Sequence, residues 1–269
     1  MQRKATMTNV TSSNRATIAA VIITKNEEGS LKDCLESLKW VDEIVIVDSD
    51  SVDKTESIAK QYTDKFYVNA DWPGFGKQKQ LAQSYTNCDW ILAVDADERI
   101  DETLKHNILK MLEDAPENTV FNLNELTWVF GRFLKHSGWY YRHVRLYPNA
   151  LTTYNDNLVH ESVIIPENCQ VADLDGDILH YSYQNLNHYL VKSAGYGKAW
   201  ADQRQAKGKK ASLSQGIVHA LACFIKMYVL KRGFLDGKQG FLIALLSAHS
   251  TFIKYADLWA RDNDQHYKL

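Results

Sequence analysis

Asp95 and Asp97 are separated by a single alanine, Ala96, and follow the apolar run Trp90-Ile91-Leu92-Ala93-Val94. A short apolar run that ends in carboxylates has the pattern of a buried strand surfacing at its C-terminal edge. If strand geometry persists through the motif, side chains two apart share a face and both carboxylates point one way. Two hard oxygen donors aimed at one spot suit Mg2+ or Mn2+, and such an ion would in turn hold phosphate oxygens. The competing reading is an Asp-rich turn capping the helix that follows. Context decides for the ion, because two more polar clusters stand in the same relation to apolar runs.

The elements that would position these groups alternate. Ile18 to Thr24 is a continuous apolar run, the pattern of a strand covered on both faces, and Lys25-Asn26-Glu27-Glu28 follows at once. Leu31, Cys34, Leu35 and Leu38 then fall at helical spacing. Ile44 to Val47 reads as the second strand and ends in Asp48-Ser49-Asp50-Ser51-Val52-Asp53, where Asp50 reads as a turn or N-cap residue. A weak third strand is expected at Phe66 to Val68, then a helix after Gly74-Phe75-Gly76, then the strand Trp90 to Val94. Such alternation predicts a mostly parallel α/β sheet with right-handed crossovers. In such sheets ligands sit beyond the carboxyl ends of the strands, where all three polar clusters fall. Lys77 and Gln78, in the helix after Gly74, read either as ligand-facing groups or as a solvated helix face.

Bulk composition narrows the partners. With 31 basic and 33 acidic residues the formal charge is -2, so nothing global points to nucleic acid. Four scattered cysteines without a Cys-x-x-Cys pair argue for a reducing compartment and against a zinc or disulfide framework. Residues 1–15 are polar and lack the apolar core of a signal peptide, so a disordered leader is expected there.

Past the helix of Leu104, Ile108 and Leu112 the texture changes. Residues 119–147 alternate in strand fashion and are rich in Trp, Tyr and Arg. From about Asn185 the chain reads as helices, giving the expected division into 16–184 and 185–269. Between residues 204 and 238 there are eight basic side chains against one acid, Asp236, interleaved with Ile217, Leu221, Phe224 and Leu230. This reads as a basic amphipathic helix on an anionic membrane surface, or else as a helical hairpin whose lysines are merely solvated. Gly240 to Ile253 is uncharged but shorter than the roughly 20 residues that a spanning helix needs.

Three motifs in order carry a resemblance: Thr24-Lys25-Asn26-Glu27-Glu28, then Val47 to Thr55, then Asp95-Ala96-Asp97-Glu98. Together they resemble the family 2 glycosyltransferases of the GT-A fold. Within that family, Trp90 to Arg99, Leu158-Val159-His160-Glu161 and Lys231 to Gly237 are similar to bacterial lipopolysaccharide core enzymes that add β-linked glucose to an inner-core heptose. Val52 departs from the family, which usually has Thr there; the change touches the turn rather than the chemistry.

The resemblance implies a UDP-sugar donor, a lipid-anchored saccharide acceptor, and work at the cytoplasmic membrane face. Thr24, Lys25, Asn26, Glu27 and Asp48 would hold uracil and ribose, with Lys77, Gln78, Asp95 and Ala96 also toward the nucleotide-sugar. Asp97, Asp95 and a late histidine, His180, would hold Mg2+ or Mn2+, although a lone histidine after an apolar run is also a common core residue. Glu161 stands where the family has its general base, and His160 beside it would orient acceptor or phosphate. An inverting displacement needs one carboxylate opposite the leaving group. Arg142 and Arg145 read as a phosphate clamp or as a solvated strand face. Trp139 reads as a sugar-stacking ring or a packed one.

Two other classes compete. A phosphatase with an Asp-x-Asp nucleophile usually carries it after the first strand, whereas here the pair follows the fourth. A non-catalytic membrane-docking protein has no need of Asp97, Glu161 and His180 together. Among enzymes of the same kind, another cell-surface glycan or a polyprenyl phosphate remains an alternative acceptor.

Overall fold

The apolar runs fold as strands. A computed structural model describes residues 15–157, 161–183 and 185–264. His160 and all but the last residue of the expected leader lie outside them. Contacts divide the chain into two compact units.

The first unit comprises Met1–Ala96, Glu102–Asn122 and Val144–Gly176. Its centre is β1 (Ile18–Thr24), buried at all seven positions because every side chain is apolar but the last. Parallel pairing joins β1 to β2 (Glu43–Asp48) and to β4 (Trp90–Asp95), and β2 to β3 (Phe66–Val68). The antiparallel strand β8 (Tyr140–Pro148) adds to β4, with Leu92 opposite Leu146. The crossovers are α1 (Leu31–Ser37), α2 (Thr55–Ala59) and α3 (Phe75–Gln83). The expected α/β class and strand sequence are therefore found, each strand within a residue of its expected end. Val21, Val45, Ile91 and Tyr147 belong to one buried cluster, which excludes water from the sheet's middle and leaves the polar groups at its edge.

One expectation changes at the central motif. β4 ends at Asp95 and Ala96-Asp97 form a turn, so strand alternation stops before it relates Asp97 to Asp95. In the same unit α4 (Glu102–Glu113) buries Leu104, Ile108 and Leu112, one residue per turn along one stripe.

The second unit comprises Asp97–Asp101, Leu123–His143 and Asp177–Leu269. Here β5 (Glu98–Ile100) pairs antiparallel with β9 (Gln170–His180), setting Glu98 opposite His180. β6 (Thr119–Val129) pairs with the short β7 (Arg132–Phe133). The helices are α5 (Leu186–Ala206), α6 (Leu213–Ile225) and α7 (Gly237–Asn263). α6 starts where it does because Ser212 and Gln215 form a reciprocal cap, Gln215 N–H donating to Ser212 Oγ (3.2 Å) and Ser212 N–H to Gln215 Oε1 (3.0 Å).

Residues 204–238 are not one amphipathic helix. They comprise the end of α5, a loop, α6 with a π-helical turn over Lys226–Leu230, and a 3-10 turn over Gly233–Asp236. Left-handed backbone at Gly208, Arg232 and Gly237 breaks the run. Leu213–Leu230 is long and apolar enough, by length and composition, to cross a membrane, and only 6% of it is buried. Gly240 to Ile253 is uncharged for another reason: Ile243, Ala244 and Ala248 are buried faces of α7.

Gly176 shows how tightly β9 approaches α4. Its φ is +105°, and a Cβ there would meet the Leu104 amide nitrogen at 2.2 Å. Gly176→Ala is expected to lose about 2 to 4 kcal/mol, from left-handed strain plus overpacking. Urea denaturation checks this, and an unchanged midpoint would refute the tight approach.

Candidate functional site

In the first unit the loops after β1 and β2 are sewn together by side chains that bond to backbone. Asp48, 2% exposed, accepts from the Ser51 amide (2.7 Å) and the Ser51 hydroxyl. The Asn26 amide donates to Ser51 Oγ (2.7 Å), and the Val52 amide to Asn26 Oδ1 (2.9 Å). The Glu27 amide donates to Thr55 Oγ1 (2.8 Å). Asn26 and Asp50 adopt left-handed backbone, which short polar side chains tolerate. The result is a fixed polar rim at the carboxyl ends of β1 and β2. Lys25 and Asn26 are exposed on it. Thr24 Oγ1 is buried without a hydrogen-bond partner among the described residues, so the rim has an unmet polar group.

α3 supplies the cluster next to the end of β4. Lys79 is 4% exposed, and its Nζ lies 3.0 Å from Asp95 Oδ1 and 3.0 Å from Glu161 Oε1. The buried Arg145 donates from Nη2 to Asp95 Oδ2 at 3.0 Å. Burial pushes the Asp95 carboxyl up, but Arg145 and Lys79 outweigh it and hold Asp95 well below the usual carboxylate range. Burial likewise works against the Lys79 ammonium, and Asp95, Tyr154 and Glu161 raise it overall.

The same helix fixes the chain that carries Glu161. Gln83 Nε2 donates to Thr152 O (2.9 Å) and Gln80 Nε2 to Tyr154 O (2.7 Å). At Gly76 a Cβ would sit 1.9 Å from Asn155 O, so only glycine admits this approach. Tyr154 bridges Val163, and the Asn155 amide donates to Ser162 O (2.9 Å), which places Glu161 beside the clasp.

Among the sequence candidates on this helix, Lys77 is exposed and Gln78 is fully buried. Gln78 accepts from Asn69 Nδ2 (2.7 Å) and donates to Ser49 Oγ (3.1 Å), tying the ends of β2 and β3. It therefore lies on no solvated face. Arg145 is no solvated strand residue either, since it is buried on Asp95. Arg142, three positions earlier, is exposed and donates to Asn124.

The second unit brings four acidic and imidazole groups together. His180 Nε2 lies 3.3 Å from Asp97 Oδ2, and its Nδ1 2.6 Å from Glu125 Oε1. Glu98, Glu125 and His180 each offer a donor atom, all within 4.8 Å of one another. Glu125 is 2% exposed and also accepts from the Tyr141 hydroxyl, with His143 Nε2 at 3.5 Å from Oε2. Burial pulls the His180 imidazole down, yet Asp97 and Glu125 hold it well above the ordinary histidine value. Carboxylates with one imidazole are a donor set that fits Mg2+ or Mn2+. Trp139 packs against Tyr183, with ring centroids 5.8 Å apart, as part of an apolar cluster with Leu134 and Ile243.

Sequence reasoning missed Lys79, Glu98 and Glu125. Lys79 had a signal: Gly76, Lys79, Gln80 and Gln83 recur at helical spacing, a polar stripe on the face that packs. Glu125 had one too, being the only charge in the buried strand residues Phe121, Leu123, Glu125, Thr127 and Val129.

A family model described as glycosyl transferase family 2 matches residues 19–163. A lipopolysaccharide core biosynthesis glycosyltransferase, LpsC, of Rhizobium meliloti is 28% identical over 91% of this chain and 92% of its own. An uncharacterized glycosyltransferase of Rickettsia felis is 29% identical over 90% of this chain and 89% of its own. Among solved structures, residues 1–349 of S. aureus TarS superpose with a TM-score of 0.44 at 16% identity, over 94% of this chain and 93% of that one.

Lys79→Met removes the ammonium and leaves Asp95 and Glu161 facing each other across a gap. The expected loss is about 3 kcal/mol at pH 7, the usual cost of breaking a buried pair. Asp95, held low by its cations, contributes stability present above its unfolded value and lost as pH falls through the folded one. The gap between parent and variant should therefore close in acid. Denaturant midpoints at neutral and acid pH check this; a pH-independent difference would point to packing alone.

Proposed function

The chain belongs to glycosyl transferase family 2 and is a glycosyltransferase; from that premise we propose an inverting, metal-dependent enzyme that moves glucose from UDP-glucose to an inner-core heptose of lipopolysaccharide. The observation that carries the reading is the buried ammonium of Lys79, which holds both Asp95 at the end of β4 and Glu161 at 3.0 Å.

In this reading the rim of Thr24 to Glu27 and Asp48 takes the uridine, and the unmet Thr24 hydroxyl gains its partner there. Lys77 and Gln78 flank the same helix, Gln78 by holding the ends of β2 and β3 in register. Glu161 takes the proton of the acceptor hydroxyl as that oxygen bonds to the anomeric carbon. The bond from that carbon to the diphosphate breaks, and the electron pair leaves with UDP. Lys79 keeps the Glu161 carboxylate aimed while this happens.

Asp97, His180, Glu98 and Glu125 would hold the ion. Bound there, Mg2+ or Mn2+ would offset the charge that develops on the departing diphosphate. Arg142 and His160 remain candidates for an acceptor phosphate, and Trp139 supports the loop before them by packing on Tyr183. The lipopolysaccharide acceptor is supported by the likeness to LpsC, and the glucose donor rests on the lipopolysaccharide-type motifs alone. Residues 185–269 would hold the enzyme on the inner face of the cytoplasmic membrane, supported by the exposed apolar run Leu213–Leu230 and the basic side chains around it.

Glu161→Gln should lose about 100- to 10,000-fold in transfer while UDP-glucose binding stays near that of the parent. Turnover with UDP-glucose, UDP-galactose and UDP-N-acetylglucosamine, each with an inner-core acceptor, tests the donor and the base together. A fall in donor affinity at unchanged turnover would move Glu161 into the nucleotide pocket instead.

The ion site has its own readout. His180 is raised by its carboxylates, which favours its protonated form, so an ion that ligates the ring competes with that proton. Mn2+ affinity should therefore rise about tenfold per pH unit until the raised His180 value is passed. Titration calorimetry in buffers of different ionisation enthalpy should show close to one proton released. Asp97→Asn should abolish the heat, and chelation should stop transfer. Mn2+ binding without proton release would exclude His180 as a ligand.

A further inference from the structure

The loop between β7 and β8 is locked to the turn that precedes α7. Asp236, 1% exposed, accepts from the Lys135 amide (3.2 Å), the His136 amide (3.0 Å) and the Ser137 hydroxyl (3.0 Å), and lies 3.1 Å from His136 Nδ1. The Ser137 amide donates to Lys231 O at 3.0 Å. A Cβ at Gly240 would meet Gly233 O at 1.9 Å, so the turn packs tightly on α7, and one at Gly233 would meet Ser137 Oγ at 2.7 Å, so the turn packs tightly on the loop. Left-handed backbone at Gly131, Ser137, Gly138 and Arg232 holds both turns in one shape.

This lock gathers charge that lies about a hundred residues apart in the chain. Arg132 comes from β7 and Lys135 from the loop after it, Lys231 and Arg232 from the turn and Lys238 from the start of α7; all five are exposed. Arg132 reaches the turn itself, with Nη1 3.2 Å from where a Gly237 Cβ would sit. The only acid in residues 130–138 and 226–238 is Asp236, and its carboxylate is buried and spent on the loop. Among the cations Leu230, Phe234 and Leu235 are 72%, 50% and 49% exposed.

We propose that this locked pair of turns is the surface that docks on an anionic bilayer, with the β7–β8 loop as an integral part of it. It rests on the membrane association put forward above and names the contact. A purely phosphate-directed patch has no use for half-exposed leucine and phenylalanine between its cations. A lipid surface uses both, since anionic headgroups attract the cations and the acyl boundary takes the apolar side chains. The sequence segment 204–238 supplies half of that surface; Asp236 recruits the other half.

The test is partition of the full chain onto vesicles of phosphatidylglycerol with phosphatidylcholine, and onto phosphatidylcholine alone. Each cation near such a surface contributes roughly a fivefold gain in partition, so Arg132→Gln with Lys135→Gln should weaken binding to the anionic vesicles by about 25-fold. Lys231→Gln with Arg232→Gln should do the same. Both differences should shrink in high salt, where exposed charges are screened. Both variants should hydrolyse UDP-glucose at the parent's rate, which shows that they fold. If only the 231/232 pair weakens binding, the loop is no part of the surface and this inference fails while membrane association stands. If neither pair weakens binding, or the parent binds neutral vesicles equally well, membrane docking by these cations fails altogether.

Discussion

A lysine ammonium buried between two carboxylates governs the first unit. Taking Lys79 out of water is costly, and only close, well-directed partners offset that cost. Asp95 and Glu161 provide them at 3.0 Å each, and Arg145 adds a second cation to Asp95, so two buried cations and two partly exposed carboxylates share one spot. This requirement explains features that otherwise look unrelated. α3 must lie close to the 149–163 segment, hence Gly76 against Asn155 O and the glutamines that bond to its carbonyls. β4 ends at Asp95, which leaves that carboxylate at the edge of the sheet. The aim of Glu161 is therefore a property of the whole helix.

The second constellation solves a comparable problem differently. Glu98 and Glu125 are buried carboxylates, and His180 faces them with an imidazole that Asp97 and Glu125 hold well above the ordinary histidine value. A divalent ion brings the same sign of charge to the same oxygens, so the proton on His180 and the ion are exchangeable occupants of one electrostatic need. Glu125 on Nδ1 orients the ring so that Nε2 meets Asp97. Carboxylates that orient ligand histidines commonly matter nearly as much as the ligands themselves.

The parts of the fold legible in the sequence are those where one side chain's surroundings follow from its neighbours. Ile18 to Thr24 is apolar throughout, so its burial on both faces is readable, and the ends of β1, β2 and β4 follow from the polar residues after them. Lys79 was not readable in that way. Four basic or amide residues in a row, Lys77 to Gln80, look like a solvated helix face, and that Lys79 turns inward depends on Asp95 and Glu161, distant in sequence. Arg142 and Arg145 diverge for a simpler reason: three residues apart on a strand, they leave opposite faces. Asp95 and Asp97 escaped because the alternation that relates them ends with the strand at Asp95.

The segment Lys231 to Gly237 shows how one short stretch divides its labour. As a sequence it is basic and apolar, and it suggests a helix lying on a membrane. In the folded chain its small and acidic members are structural: Gly233 leaves room for Ser137 Oγ and Met227 O, and Asp236 ties down residues 135–137. Arg232 takes a left-handed φ of 54° where the chain must turn, which sends its side chain outward instead of along a helix face. Its cations are thereby released from any fold-stabilising ion pair that this acid might have offered, because Asp236 is already satisfied by amides and a hydroxyl. A surface that exposes five cations while burying the one acid of these two segments has the charge pattern that the proposed docking on an anionic bilayer requires.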